Sequence, residues 1–134
     1  MQIITYHRGK GKRMEWNFKN GIPIYTQIID EMTMRIASGE YAPGDKLQSV
    51  RDLALDAGVN PNTMQKALAE LERKGLVYSE RTSGRFITKD ENILNELHGE
   101  LAERCFGELA EKLHKIGMDD SDIRKAVENW LKEM

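Results

Sequence analysis

The stretch DKLQSVRDLALDAGVNPNTMQKALAELERKGL (Asp45–Leu76) decides the fold. Its apolar residues recur at helical spacing in two short segments separated by Gly58 and Val59, which predicts two helices joined by a tight turn. Asn60 suits the cap of the second helix, and Pro61 suits its first position. The spacing i, i+3, i+4, i+7 then predicts one buried face on this helix, formed by Met64, Ala67, Leu68 and Leu71.

The opposite face of the second helix carries hydrogen-bonding side chains near its N-terminus. The buried stripe turns Asn62, Gln65 and Lys66 outward and leaves Thr63 at the edge. Arg51, in the first turn of the preceding helix, is expected close to the same surface. Side chains presented in this way suit the base edges in a major groove. The alternative interpretation is an ordinary helical hairpin with a solvated polar face.

A helix is predicted before this two-helix unit, and a β-hairpin after it. The helix begins at Ile24, directly after Pro23, which fixes its own φ. Strand-like runs at Leu76–Ser79 and Arg85–Thr88 flank a turn, so the hairpin forms a wing whose tip carries Arg81 and Arg85. Arginines at such a tip suit phosphates or a narrow minor groove. Alternatively, these charges only keep the hairpin tip soluble.

Three runs of the chain together resemble a known family: PIYTQIIDEM (23–32), SGEYAPGDKLQSVRDLA (38–54) and VNPNTMQKALAELERKGLVYSERTSGRFI (59–87). They are similar to the winged-helix domain of the GntR family of bacterial transcription regulators, and among its branches to the short YtrA-like subfamily. The resemblance spans Trp16–Thr88 and implies a sequence-specific DNA-binding regulator that acts as a repressor. It also implies operator contacts by Arg51, Asn60, Asn62, Thr63, Gln65, Lys66, Arg81, Gly84 and Arg85.

The chain departs from the family pattern at two positions. Gln48 stands where the family usually has a proline, and this loosens the segment that leads into the helix carrying Arg51. Thr82 stands where the family usually has a glycine after the wing arginine. Because a threonine does not easily adopt a positive φ, the turn at the wing tip is expected to differ from the family form.

The last 45 residues predict two amphipathic helices. The first spans Glu91–Lys115, and the run Asp119–Asp122 supplies the N-cap and the favourable acidic residues at the start of the second. Two apolar stripes of this size cannot both be buried in a lone hairpin, so pairing with a second copy is expected. A homodimer would match a palindromic operator; packing against the winged helix is the alternative. Cys105 lies on the stripe and is expected in the core. The predicted dimerisation residues are Leu94, Leu97, Leu101, Phe106, Leu109, Leu113, Ile123, Val127, Trp130 and Leu131.

The predicted fold is therefore mainly α with a small β wing: an N-terminal winged helix-turn-helix followed by a two-helix C-terminal dimerisation segment. Residues 1–13 form a flexible basic N-terminal extension, residues 14–89 the winged-helix DNA-binding domain and residues 90–134 the dimerisation segment. The net charge is −2, but residues 90–134 carry twelve acidic and six basic side chains, whereas residues 1–13 carry four basic ones and no acid. The local patch, rather than the whole-chain sum, decides whether a surface suits DNA.

Residues 1–13 admit two interpretations. They are either a basic arm that follows the DNA backbone, or residues translated from a start assigned upstream of a natural start at Met14. The second is favoured, because the run from Arg8 to Arg13 can be encoded almost entirely by purines, as is a bacterial ribosome-binding site.

Composition excludes several other classes. The single cysteine and three histidines show neither a disulfide framework nor metal-ligand spacing, so no metal or cofactor is expected. Neither a nucleophile–base pair nor a phosphate loop is present, and an enzyme is not expected. No apolar run approaches the ~20 residues that span a bilayer, which favours the cytoplasm and no membrane partner.

Double-stranded DNA is the predicted partner, and a small-molecule effector of unknown identity is left open. The alternative function is a winged-helix module that binds protein without specific DNA binding.

Overall fold

A computed structural model describes residues 15–134. The chain divides into two compact units, and the division falls between Asn95 and Glu96. The elements follow in the order α1 (Ile24–Ala37), α2 (Val50–Ala57), α3 (Pro61–Arg73), β1 (Val77–Glu80), β2 (Gly84–Ile87), α4 (Glu91–Lys115) and α5 (Asp120–Lys132).

The core of the first unit lies between α1, α2 and α3. The four residues predicted to form the buried face of α3 are at most 1% exposed, which confirms that face. They pack mainly against α1, which buries its own apolar stripe. Burying large apolar side chains of this kind stabilises a fold by about 1.5–3 kcal/mol each. The α1 side of the core consists of Ile28, Ile29, Met32 and Ile36.

A tight turn joins α2 to α3 and sets the angle between them. Gly58 ends α2 with a φ of 68°, and the amide of Val59 donates to the carbonyl of Ala54 at 3.0 Å. This i to i−5 bond and a left-handed glycine together form a Schellman end. Each helix start is capped as expected: Ser49 Oγ accepts from Asp52 N, and Asn60 Oδ1 accepts from Asn62 N.

The wing consists of β1 and β2, paired antiparallel with Val77 opposite Ile87. A third, very short strand joins β2 on its other edge, because Lys46 forms an isolated bridge with Phe86 and Leu47 N donates to Arg85 O at 2.9 Å. The turn at the tip takes its positive φ at Gly84, at 105°. Thr82 therefore needs no strained conformation, and the departure from the family pattern is accommodated.

A buried arginine holds the segment before α1 in place. Arg35 donates to Glu31 and Glu40 at 2.9 Å each and to the carbonyl of Glu15 at 2.9 Å. Its guanidinium also lies 5.7 Å from the ring centroid of Trp16. Because the charge is fully paired, its burial is tolerated, and the segment around Trp16 is fixed against α1.

The second unit comprises residues 96–134, which include most of α4 and all of α5. Helix α4 ends at Lys115 and is followed by Gly117, whose φ is 89°, and Met118 N donates to Leu113 O at 3.1 Å. Helix α5 begins with a capping box in which Asp119 and Asp122 bond each other's backbone amides. Helix α4 has the bounds that the sequence predicts, and α5 takes its N-cap from the run expected to supply it. Large apolar side chains remain exposed on both helices.

Candidate nucleic-acid interface

The exposed face of α3 carries three of the residues singled out from the sequence. Asn62, Gln65 and Lys66 are exposed, whereas Thr63 is half-buried at the edge of the same face. None of the three exposed side chains makes a hydrogen bond or an ion pair with another described residue, so their polar groups are available to a partner. Helix α3 presents this face from its first turns, where the positive end of the helix dipole also favours an anionic partner.

Asn60 has a different position from its neighbours on α3. It lies just before the helix, and its Oδ1 already accepts the backbone amide of Asn62 at 2.8 Å. The oxygen is therefore engaged in the cap, and only the amide nitrogen of Asn60 remains for a partner. The cap stabilises the helix N-terminus by about 1 kcal/mol, which fixes the first turn of the recognition face.

Arg51 lies in the first turn of α2 and is exposed. Its guanidinium has no hydrogen-bond or ion-pair partner within residues 15–134. In a helix-turn-helix, the first helix crosses the nucleic-acid backbone while the second lies in the groove. An arginine that begins the first helix is thus placed where it can donate to a phosphate or a base edge.

The two wing arginines have different surroundings. Arg81 lies in the exposed turn at the tip, beside Gly84. The Arg85 side chain is only 19% exposed, and its Nε lies 3.9 Å from Glu72 Oε1 at the end of α3. The alternation of side chains along a strand predicts this burial, because Arg85 lies two residues before the buried Ile87 and therefore faces the same side of the wing.

Lys46 is a basic residue of this surface that is missing from the operator contacts predicted from the sequence. Its side chain is exposed, and its Cε approaches the wing tip, 3.5 Å from where a Cβ on Gly84 would lie. The signal in the sequence is the alternation with Leu47, which is buried and turns Lys46 to the opposite face. Together with Arg51, Lys66 and Arg81, it brings the exposed basic side chains of the candidate interface to four.

One acidic residue on α3 is neutralised within its own helix. Arg73 donates to Glu70, and this hydrogen bond holds the pKa of the Glu70 carboxyl below its usual range and raises the pKa of Arg73. Glu70 lies four residues after Lys66, so an unpaired carboxylate there would partly cancel the lysine. Its pairing with Arg73 preserves the positive potential of the N-terminal half of α3.

Within residues 15–134, no three His, Cys, Asp or Glu side chains are grouped so as to hold a metal ion. No helix in the same range is long and apolar enough to cross a bilayer.

The predicted dimerisation residues differ in exposure within one chain. Phe106, Leu109, Trp130 and Leu131 are 43–66% exposed. Leu97 is already buried, at 7% exposure, so it has little surface left for a second copy. The expectation that Cys105 is a core residue is wrong for the single chain, because its side chain is exposed. The remaining members of the set are half-buried: Leu94, Leu101, Leu113, Ile123 and Val127.

Three helices, a capped helix-turn-helix and a two-stranded wing with basic residues define a winged-helix DNA-binding protein. A family model described as "Bacterial regulatory proteins, gntR family" matches residues 24–87. The chain belongs to the GntR family of bacterial transcription regulators, which confirms the resemblance, the fold class and the DNA-binding regulatory function expected from the sequence.

Two curated relatives from Bacillus subtilis (strain 168) match most of the chain. The transcriptional regulator YhcF is 33% identical over 117 residues, which are 87% of this chain and 97% of that protein. The transcriptional repressor YtrA is 34% identical over 117 residues, which are 87% of each chain.

Solved structures show the same architecture. A GntR family transcriptional regulator from Listeria monocytogenes has a TM-score of 0.75 and 33% identity, and the match covers 87% of this chain and 99% of that one. AraR(DBD) in complex with operator ORX1 has a TM-score of 0.53 and 28% identity, and the match covers 57% of this chain and 99% of that one.

Proposed function

We propose that this protein is a cytoplasmic repressor that binds a palindromic DNA operator as a homodimer. The observation that carries the dimer is the large exposed apolar surface of α4 and α5, combined with one recognition surface per chain. Two recognition helices related by a two-fold axis read two half-sites with the same sequence, so the symmetry of a dimer matches a palindrome. The relative YtrA carries the name of a repressor, which supports the direction of the regulation.

The proposed operator contacts are the exposed members of the interface. Asn62, Gln65 and Lys66 would read base edges from α3, with Thr63 and the amide nitrogen of Asn60 at the margin. Arg51 would contact the backbone beside them. Arg81, with the closely approaching backbone of Gly84, would enter the minor groove or contact its phosphates. AraR(DBD), which has the same fold, is solved in complex with an operator, and this supports DNA binding by the fold.

The dimer contact is proposed on the apolar faces of residues 90–134. Six large hydrophobic side chains there are 43–72% exposed in one chain, and exposed apolar surface in this amount favours a protein interface. Burying such a side chain completely contributes about 1.5–3 kcal/mol. The six are Phe106, Leu109, Ile116, Trp130, Leu131 and Met134.

Selection of bound sites from a random duplex library tests the operator. We expect an enriched inverted repeat whose half-sites lie about one helical turn apart, and affinity that falls with salt because phosphate contacts release counterions. A module that binds only protein would enrich no sequence. Enrichment of a single, non-repeated half-site would contradict the palindrome while leaving specific DNA binding in place.

Light scattering of the full chain tests the dimer. We expect a dimer for the wild type and for Lys125→Glu, which adds an acid at an exposed polar position of α5. Trp130→Glu places the same acid on the exposed apolar face and is expected to shift the protein towards a monomer. A monomeric wild type, or equal dimerisation of both variants, would contradict the proposed interface.

A further inference from the structure

We propose that Glu72 and Arg85 form a pair that fixes the wing against the recognition helix α3, so that Arg85 is a positioning residue for the wing tip. This inference rests on the proposed function, because it assigns how the wing of the DNA-binding surface is held. It gives Arg85 a role other than the direct operator contact that the family resemblance implies.

The register of the wing places Arg85 over α3. Ser79 lies opposite Arg85 across the strand pair, and both lie on the same face as the buried pair Val77 and Ile87. Directly opposite residues on adjacent strands share a face. Glu72, the second-last residue of α3, meets this face: its Oε1 accepts a hydrogen bond from Ser79 Oγ and lies 3.9 Å from Arg85 Nε. One carboxylate thus joins α3 to both strands.

Burial makes this arrangement costly to break. The Arg85 side chain is 19% exposed, and its Nε is a buried atom that has no hydrogen-bond partner among the described residues 15–134. A partly buried guanidinium needs a nearby negative charge, and Glu72 is the carboxylate that lies closest to it. If Arg85 left this site to reach a phosphate, the Glu72 carboxylate would lose its counter-charge and the packing of the arginine stem would be lost.

The pair lies where it controls the tip. The Arg85 carbonyl accepts the Leu47 amide at 2.9 Å, so the same residue joins the third strand to the wing. Arg81 is separated from Arg85 only by the turn and Gly84. Fixing Arg85 therefore fixes the base of the turn that presents Arg81, which lowers the ordering cost when the tip binds DNA.

Operator binding by full-length variants tests the pair, measured by fluorescence anisotropy on the selected duplex. Glu72→Gln removes the charge and keeps an acceptor for Ser79, and Arg85→Met removes the charge and keeps an apolar stem. Glu70→Gln is the matched control, because it removes the same charge from α3 at a carboxylate whose ion pair among residues 15–134 is with Arg73 and not with the wing. We expect Glu72→Gln to bind about threefold to tenfold more weakly than Glu70→Gln, and Arg85→Met to lose a similar factor from the wild type.

The background Arg81→Ala shows whether the effect passes through the wing tip. If the pair acts by positioning Arg81, then Arg85→Met and Glu72→Gln should lower operator affinity only slightly in a protein that already carries Arg81→Ala. In that protein, Arg85→Met should also leave the dependence of log affinity on log salt concentration unchanged. A direct phosphate contact by Arg85 predicts the reverse. The losses of operator affinity from Arg81→Ala and Arg85→Met would then add, and the slope of log affinity against log salt concentration would fall in magnitude by about one. In that case Glu72→Gln would bind more tightly than Glu70→Gln, because it frees the arginine.

Hydrogen exchange of the free protein separates a failure of this inference from a failure of the proposed function. We expect faster exchange of the wing amides, including Leu47 N, in Glu72→Gln and Arg85→Met, but not in Glu70→Gln. Unchanged wing exchange in both variants overturns the pair, even if DNA binding is specific. Faster exchange in a protein that binds no specific duplex supports the pair and contradicts the proposed function.

Discussion

Lys66 provides the sharpest test of the recognition surface, because its side chain does nothing else in the described structure. It is exposed in the second turn of α3 and has no ion-pair or hydrogen-bond partner within residues 15–134. Lys66→Ala is therefore expected to change the free energy of unfolding by less than about 0.5 kcal/mol, with a small gain from helix propensity. Any large effect must then appear in DNA binding.

The expected loss of binding follows from the kind of contact. A base-edge contact contributes roughly 1–3 kcal/mol, so Lys66→Ala should weaken operator binding by about fivefold to 150-fold. Arg51→Ala should give a loss within the same range and also lower the salt slope, because its position suits a phosphate. Anisotropy titrations at fixed salt, with thermal unfolding as the check on folding, measure both.

Lys74→Ala is the control for charge alone. It removes the same charge at an exposed position after the last turn of α3, about 12 Å along the axis from Lys66, which is beyond a Debye length at moderate salt. We expect it to lose much less affinity. Unchanged affinity in both Lys66→Ala and Arg51→Ala, or an equal loss in Lys74→Ala, would refute the assignment of this face.

Three further predictions concern other parts of the chain. Truncation after Thr88 should give a folded monomer with much weaker operator affinity; a truncated protein that still dimerises in light scattering would exclude residues 90–134 as the interface. Deletion of residues 1–13, which lie outside the described structure, should leave the salt dependence of DNA binding nearly unchanged; a markedly flatter dependence would show that they are a basic arm. Gly58→Ala should lower stability to urea by about 1–2 kcal/mol, because φ is 68° while no atom crowds the added methyl group. Gly99→Ala, within α4 and equally uncrowded, should stabilise or have no effect, and a matching loss there would refute the backbone explanation.

The parts of the fold that depend on neighbouring residues could be predicted from the sequence. The caps of α2 and α3 and the glycine end of α2 involve residues within five positions of one another, so local chemistry determines them. The buried stripe of α3 follows from its period in the same way. The outward position of Asn62, Gln65 and Lys66 follows directly from that stripe.

Predictions that depend on distant partners were less complete. The sequence places Arg85 at an open wing tip, but its surroundings are set by Glu72, which lies on a different element. The apolar stripe predicts a core position for Cys105, yet its side chain is exposed in the described part of one chain. Strand alternation predicts which way Arg85 faces, but only the packing of the wing on α3 shows which group it meets there.

The interleaving of the two faces of α3 constrains how this regulator can evolve. Outward residues alternate along the helix with buried ones, and each residue advances the helix by about 100°. A single inserted or deleted residue early in α3 would therefore rotate the reading face into the core and expose the buried stripe. Point substitutions at Asn62, Gln65 or Lys66 touch no core atom. The recognised operator sequence can therefore change through single substitutions with little loss of stability, whereas insertions or deletions early in α3 would disrupt the core.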